Sequence, residues 1–341
     1  MAGFVAAPLP SLAKIAIDDI GRGLGENSFT VVDLVAAHLA RIEEVNGVFN
    51  AVIDVNPDAL TIVEGLDKEM SAAEEANLHR RPYEHLVRVV RPPRFPPPAE
   101  AFVITRLRRA GAIILGKTNL SEFCDFRSTG ATNGWSPRGG QTYGAFVPGQ
   151  APEGSSSGSA VSMALGLAPA SVGMERNNIV GFRPTTDLVP RDGIIPVSDR
   201  LDTVGPMART WRTRPQWHPY GSSSQSHGVY QPHDYGKIRS GSKTLASLGA
   251  TVVDNVEIPS QDEWDAWELD EKMRTLIAEF KASINRWCQR LVVNPRNITS
   301  LDDLIEFVRN DFREAIPREI SIDSLPLRHH RALTTRLPKP P

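Results

Sequence analysis

Cysteine is scarce in this sequence: Cys124 and Cys288 are the only two in 341 residues, far apart and in no metal-ligand spacing. A disulfide scaffold is excluded, and the usage fits a reducing compartment. No apolar run approaches the length of a membrane-spanning helix. Neither charge sign is in excess, with 38 Lys and Arg against 40 Asp and Glu. Nothing in that balance would draw the chain to nucleic acid or to an anionic membrane. The opening MAGFVAAPLP is apolar but lacks a basic start and a long hydrophobic stretch. No secretory signal is expected from it, and a cytoplasmic location is the expectation. Internal repeats are absent as well. Proline is the residue that is not scarce, at 27, and its placement is informative.

The hydrophobic pattern alternates between helical and extended. Ser28 to Glu44 reads as an amphipathic helix, with Val31, Leu34, Val35, Leu39 and Ile42 on one face, Thr30 as cap and Asp33 completing a near capping box. Asn50 to Val55 alternates like a strand, Asn56-Pro57-Asp58 is a turn, and Ala59 to Ala76 is helical again. Between His79 and Pro98 the character changes, with five arginines and six prolines. Arg91 to Pro98 cannot be a helix interior or a central strand. Residues 99–110 then predict a helix, and Ala112 to Leu115 a short buried strand ending in Gly116-Lys117-Thr118-Asn119. Helix followed by apolar strand is the grammar of an α/β protein. Val180 to Asp187 predicts a strand and turn, and Gly193 to Val197 a second short apolar segment. Residues 211–240 lose periodicity. Thr244 to Leu248 closes a helix, Ala250 to Asp254 reads as a strand, and helical patterns follow over about 263–291 and 300–314. The basic, proline-rich stretch 326–341 is expected to be disordered.

The sharpest local feature is Gly154-Ser155-Ser156-Ser157-Gly158-Ser159-Ala160, running into a small-residue helix through Leu167. Glycines permit tight backbone geometry, and a helix start offers free N–H groups and a positive dipole end. Hydroxyls beside such a start suit proton relay or stabilisation of an oxyanion. Taken alone, the heptapeptide reads rather as a flexible Ser/Gly connector.

Its context decides between these. Gly111 to Leu120 (GAIILGKTNL) with Ser121-Glu122-Phe123, then Gly139-Gly140-Gln141-Thr142, the serine loop, Gly181-Phe182-Arg183-Pro184-Thr185, Arg191 to Pro196 (RDGIIP) and Asp202 to Thr210 (DTVGPMART) occur in this order. Together they resemble the amidase signature family, and Val32 to Asn56 and Ser247 to Asp311 resemble its fungal-type members. The resemblance covers about two thirds of the chain. It implies an α/β fold, an α/β/α sandwich around a mixed sheet, here truncated and with internal deletions. It also implies one amidase-like domain over 1–325, disrupted at 79–98, 176–180 and 211–240. The family's activity is hydrolysis of a carboxamide C–N bond through an acyl-enzyme, with no metal or cofactor. A neutral lysine is its base, a serine preceded by a cis peptide relays the proton, and a second serine is the nucleophile.

By this resemblance the relay position is Ser155 and the supporting serine is Ser156. The nucleophile belongs in a glycine-rich segment after the following helix. This chain reads Gly173-Met174-Glu175-Arg176-Asn177-Asn178-Ile179-Val180 there, without the glycines or the serine. Ser171 falls too early. The lysine position is matched by Arg91 and the following aspartate by Pro92; arginine stays protonated and cannot act as base. Lys117 is an ordinary part of its motif, and Cys124 reads as a small buried hydrophobe. His218, His227 and His233 with Asp234 read as a surface loop, Glu175 is discounted as an acid, and His329-His330 reads as solvated. The resulting expectation is an amidase relative, inactive as written. Two alternatives remain. One is an active serine amidase whose coding sequence is misassembled here; the other is a binding or scaffolding protein that reuses the fold. The partner expected of an active protein is a small-molecule amide, with no nucleic acid and no membrane. The altered central segment predicts marginal stability.

Overall fold

The computed structural model describes residues 9–66, 100–127, 132–173, 180–181, 183–209 and 269–310, with isolated positions 251, 263, 266 and 267. Helix α1 (Ile17–Gly25) is followed by α2 (Val31–Phe49) and strand β1 (Val52–Val55). A helical stretch, 59–66, comes next. After it come α3 (Phe102–Arg109), β2 (Gly116–Thr118), β3 (Trp135–Ser136), β4 (Gly140–Gln141), α4 (Ser157–Leu165), β5 (Ala170–Gly173), β6 (Val180–Gly181) and β7 (Gly205–Ala208). Helices α5 (Leu269–Gln289) and α6 (Leu301–Asn310) complete the described elements.

Helix α2 begins where its capping pattern predicts. Thr30 Oγ1 accepts from the Asp33 N–H at 3.0 Å, and the Asp33 carboxylate accepts the Thr30 N–H at 2.9 Å. These bonds favour the ionised carboxylate and hold the Asp33 pKa below its ordinary value. The helix continues five residues past Glu44 and stops at Asn50, which takes left-handed φ (48°) and donates its N–H to the Asn46 carbonyl. Asn46 then ties the helix to β1, exchanging two 2.8 Å hydrogen bonds with the backbone of Val52.

Strand β1 pairs antiparallel with β2, β3 with β4, and β7 lies between β5 and β6, antiparallel to both. The strand expected over Ala112–Leu115 forms instead at Gly116–Thr118, where β1 supplies the ladder partner. The apolar residues before it pack: Ile113 and Leu115 lie against Val31, Val35, Ala59, Val63 and Leu66. Arg191 to Ile194 form a turn, closed by the Ile194 N–H on the Arg191 carbonyl, and Val197 beyond it is buried.

Two further apolar clusters place the serine loop. Ile42 of α2, Ala51, Val161 of α4 and Leu167 pack together, so α4 is fixed against α2 and β1. On the other side Phe280, Ile284 and Cys288, spaced by four along α5, form one buried face with Val197 and Ile298. Phe126 stacks on Phe280 with ring centroids 4.5 Å apart. Each such side chain, fully buried, contributes about 1.5–3 kcal/mol.

Helices expected over 263–291 and 300–314 are observed as α5 and α6. The helix expected from Ala59 is present to 66, and 99–110 contains α3. The expectations for 79–98, 211–240, Thr244 to Leu248, 326–341 and the block 176–179 lie outside the described residues, as does the strand at Ala250–Asp254 apart from Thr251. No described helix is long and apolar enough to cross a membrane.

Candidate active site

The organising residue is Asn119, which is fully buried. Its backbone N–H donates to the Ala51 carbonyl at 2.8 Å, and its carbonyl accepts the Gly158 N–H at 2.9 Å. Its side-chain Nδ2 donates to the Gly140 carbonyl and to Thr142 Oγ1, both at 2.9 Å, and more weakly to the Gly134 carbonyl at 3.3 Å. Oδ1 accepts from Ser136 Oγ at 2.7 Å and from the Leu120 N–H at 2.9 Å. One residue thus joins the end of β2, the Gly139–Thr142 segment through its side chain, and the start of α4 through its backbone carbonyl. A buried amide with all its polar capacity used specifies one arrangement of its neighbours.

Close approach explains the glycines of the serine loop. A Cβ on Gly158 would stand 2.3 Å from the Ala51 carbonyl oxygen, and one on Gly154 would stand 2.6 Å from Ser121 Oγ. The Gly154–Ser155 peptide bond is cis. Ser155 is half-buried, and its carbonyl accepts the Ser121 N–H at 2.9 Å. Ser156 is the N-cap residue of α4, with its Oγ close to Gly173 of β5. Ser157 Oγ donates to the Glu153 carbonyl at 2.8 Å. Ser159 Oγ shares a 2.7 Å hydrogen bond with Thr118 Oγ1 and donates to the Val172 carbonyl at 3.0 Å. Two of the four loop serines therefore serve packing. Ser155 and Ser156 stand at the helix start.

The turn after β2 faces Ser155. Ser121 Oγ accepts the Gly134 N–H at 2.9 Å, and Phe123, Cys124 and Asp125 all have positive φ (49°, 54° and 72°). Cys124 lies in this turn and is half-buried. Burial pushes its thiol up; the Ser155 hydroxyl works against that, and the carboxylates of Asp202 and Asp125 add to it. Burial also raises Asp125, opposed by a hydrogen bond from Ser121, and its Oδ1 has no partner. Asp202 is raised by burial too, although it accepts the N–H groups of Val197 (2.7 Å) and Ser198 (3.0 Å).

The structure places Ser155 and Ser156 together at the start of α4. Arg91 and the residues Met174 to Ile179 lie outside the described residues, as do His218, His227, His233, Asp234, His329 and His330. Ser171 sits in β5 and donates to the Ser159 carbonyl at 3.2 Å. Lys117 is exposed on β2. Cys124 packs against the α5 cluster. Sequence reasoning gave no role to Asn119, Ser121, Asp125 or Asp202. Asn119, Ser121 and Asp202 stand inside the quoted motifs, and that position was the available signal. Among the described residues no group of His, Cys, Asp and Glu is arranged to hold a metal ion.

Comparison with known proteins agrees with this architecture. The profile of the Amidase family matches residues 93–214. The chain is 30% identical to the fungal “Putative amidase” of Arthroderma benhamiae, with 92% of this chain and 66% of that protein aligned. It is also 30% identical to a “Probable amidase” of Arabidopsis thaliana, with 87% of this chain and 68% of the relative aligned. It thus spans about two thirds of the length of these relatives. Among solved structures, the native peptide amidase of Stenotrophomonas maltophilia superimposes with a TM-score of 0.67 at 28% identity, covering 88% of this chain and 72% of that one. The chain belongs to the amidase signature family, and its fold is the fold of that family. The two sequence alignments run over 394 and 359 positions, more than the 341 residues of this chain, so both relatives carry segments that it lacks.

Proposed function

We propose that this protein is a carboxamide-hydrolase relative that keeps the relay half of the family's site, Ser155 with Ser156, and supplies neither the serine nucleophile nor the lysine base. The observation that carries the reading is the convergence on Asn119. Two of the segments whose motifs carry the resemblance, Gly116–Ser121 and Gly139–Thr142, are hydrogen-bonded through the Asn119 side chain, and the Asn119 carbonyl accepts the Gly158 N–H of the loop that holds Ser155. The site's frame is therefore built, and what the sequence omits is chemistry. Arginine at 91 cannot accept a proton. The segment Gly173 to Val180 contains no hydroxyl-bearing residue to be acylated. Loss of a nucleophile costs several orders of magnitude in rate, and loss of its base leaves little to rescue. A peptide amide, chosen because the Stenotrophomonas structure is described as a peptide amidase, is a suitable probe. Ammonia release at the buffer rate, unaltered by Ser155→Ala, is the expected result. Release that Ser155→Ala abolishes would refute the reading.

A second reading has its own observation. Gaps opposite both aligned relatives fit a coding sequence from which blocks have been lost, with an active serine amidase as the true product. Sequencing the transcript across codons 79–98, 173–181 and 211–240 separates the two. A lysine near position 91 and a Gly-Gly-Ser block after Glu175 would establish the second reading. A transcript that encodes these same residues would remove it.

A further inference from the structure

The chain contains two Asn-Gly pairs, Asn46-Gly47 and Asn133-Gly134. Asparagine is a chemically labile residue, and most so before glycine, whose backbone is free to swing back onto the carboxamide. Asn46 lies inside α2, where Oδ1 accepts the Val52 N–H and Nδ2 donates to the Val52 carbonyl, both at 2.8 Å. Asn133-Gly134 lies in a turn, closed by the Trp135 N–H on the Thr132 carbonyl at 3.1 Å. Its third residue, Gly134, has φ of 83°, the left-handed value that favours glycine. A Cβ there would also stand 3.1 Å from Ser157 Cβ. The fold therefore fixes the glycine, and with it the labile pair. The Gly134 N–H is buried and donates to Ser121 Oγ at 2.9 Å. The Gly134 carbonyl accepts the Thr142 N–H at 2.9 Å, and the Asn133 carbonyl accepts from Gln141 Nε2 at 2.8 Å.

We propose that Asn133 is a self-deamidation site that the Ser121 hydroxyl holds closed. In the reaction the Gly134 nitrogen bonds to Cγ of Asn133 and the Cγ–Nδ2 bond breaks. The Gly134 proton leaves with the amine as ammonia. Water then opens the resulting succinimide at one of its two carbonyls, leaving aspartate or isoaspartate. The attacking nitrogen must give up its proton and turn toward the carboxamide. Ser121 Oγ holds that proton, and the hydrogen bonds on the Asn133 and Gly134 carbonyls hold the peptide on either side. The position matters to the serine loop. Oδ1 of Asn133 and Oδ2 of Asp125 stand 2.8 and 2.9 Å from the point that a Gly154 Cβ would occupy. Deamidation would set a second carboxyl group beside that of Asp125, against the loop that carries Ser155, and like charges at such range repel. Opening to isoaspartate would also add a carbon to the main chain inside the turn. That would pull the Gly134 carbonyl away from Thr142 and Asn119. The modification would thus dismantle, one way, part of the frame built on Asn119.

Peptide mapping by mass spectrometry during long incubation at neutral pH follows Asn133 and Asn46 separately. The folded protein is expected to keep both amides, and protein held unfolded in urea to lose both. Ser121→Ala is expected to raise the Asn133 rate by about tenfold, the effect of taking the acceptor from a buried N–H, with Asn46 unmoved. Asn133 lost as fast in the folded protein as in the unfolded one would overturn the proposal. So would an unmoved Asn133 rate in Ser121→Ala. Should Ser121→Ala unfold, which both sites accelerating together would report, hydrogen exchange at the Gly134 amide of the unaltered protein decides instead. Protection of that amide supports the closed turn, and exchange at the unfolded rate overturns it. None of these readouts depends on hydrolysis at Ser155.

Discussion

Replacing Asn119 by alanine should be among the most damaging single changes outside the apolar clusters. The side chain is fully buried and joins four backbone or side-chain groups at 2.7–2.9 Å. Two of these keep a second partner after truncation. Thr142 Oγ1 still donates to the Asn50 carbonyl, and Ser136 Oγ still accepts the Gly139 N–H. The Gly140 carbonyl and the Leu120 N–H lose the bonds that Asn119 gives them. A hydrogen bond contributes about 0.5–1.5 kcal/mol net, and a buried group left unpaired costs about 1–3 kcal/mol. Two lost bonds of the first kind and two orphaned groups sum to about 3–9 kcal/mol, and because both groups are only partly buried the lower part of that range, about 3–5 kcal/mol, is expected. That is a large share of the roughly 5–15 kcal/mol that holds an ordinary domain. Urea unfolding followed by tryptophan fluorescence would measure it. Asn119→Asp should be at least as harmful at neutral pH, because a carboxylate has no N–H to offer the Gly140 carbonyl, and should recover as acid protonates it. A loss below about 1 kcal/mol for Asn119→Ala would refute the assignment of Asn119 as the joint of the site.

Other consequences concern packing and pH. Ile284 is fully buried in the α5 face, and Ile284→Ala should cost about 2–5 kcal/mol in the same assay; a cost near zero would mean that α5 does not pack as described. His38 is buried, and burial first, then the field of Arg209, pushes its pKa below the ordinary 6.5, against a hydrogen bond to the Gly166 carbonyl that raises it. Its unfolded form binds a proton more readily than its folded form. The stability it contributes is therefore present in full above pH 6.5 and falls as pH drops from there toward the lowered value. Urea midpoints measured downward from neutral pH should decline, and His38→Gln should flatten the decline; a midpoint that rises on acidification would contradict the buried neutral imidazole.

Much of the local structure was legible because its causes are local. The Thr30 and Asp33 capping pair started α2 where it was read, and the apolar face of Val31, Val35 and Ile42 set its orientation. The serine loop and its helix were marked by glycines, Gly158 for close backbone approach and Gly154 for the side chains of Ser121, Asn133 and Asp125 packed against it. The strand before Asn119 was misplaced because Ala112 to Leu115 carries the apolar signal, whereas ladder pairing is decided by β1, about sixty residues earlier in the chain. The partners of Ser155 were legible only as family positions. That the Ser121 N–H meets the Ser155 carbonyl goes with a turn of three left-handed residues and an aromatic stack with α5, and neither leaves a periodic trace in the sequence. Cys124 was read as a small buried hydrophobe; it is half-buried and packs against the α5 cluster.

The central claim is that the site's frame is built while its nucleophile is missing. Incubation of the full chain with a fluorophosphonate probe, followed by mapping of any labelled peptide, tests this most directly. A working serine nucleophile is phosphonylated by such a probe, whereas a relay serine is left alone. The account predicts no labelled serine, with Ser155 and Ser156 both unmodified in a folded protein. A phosphonylated serine anywhere in the chain would contradict it and would make this protein a working serine hydrolase.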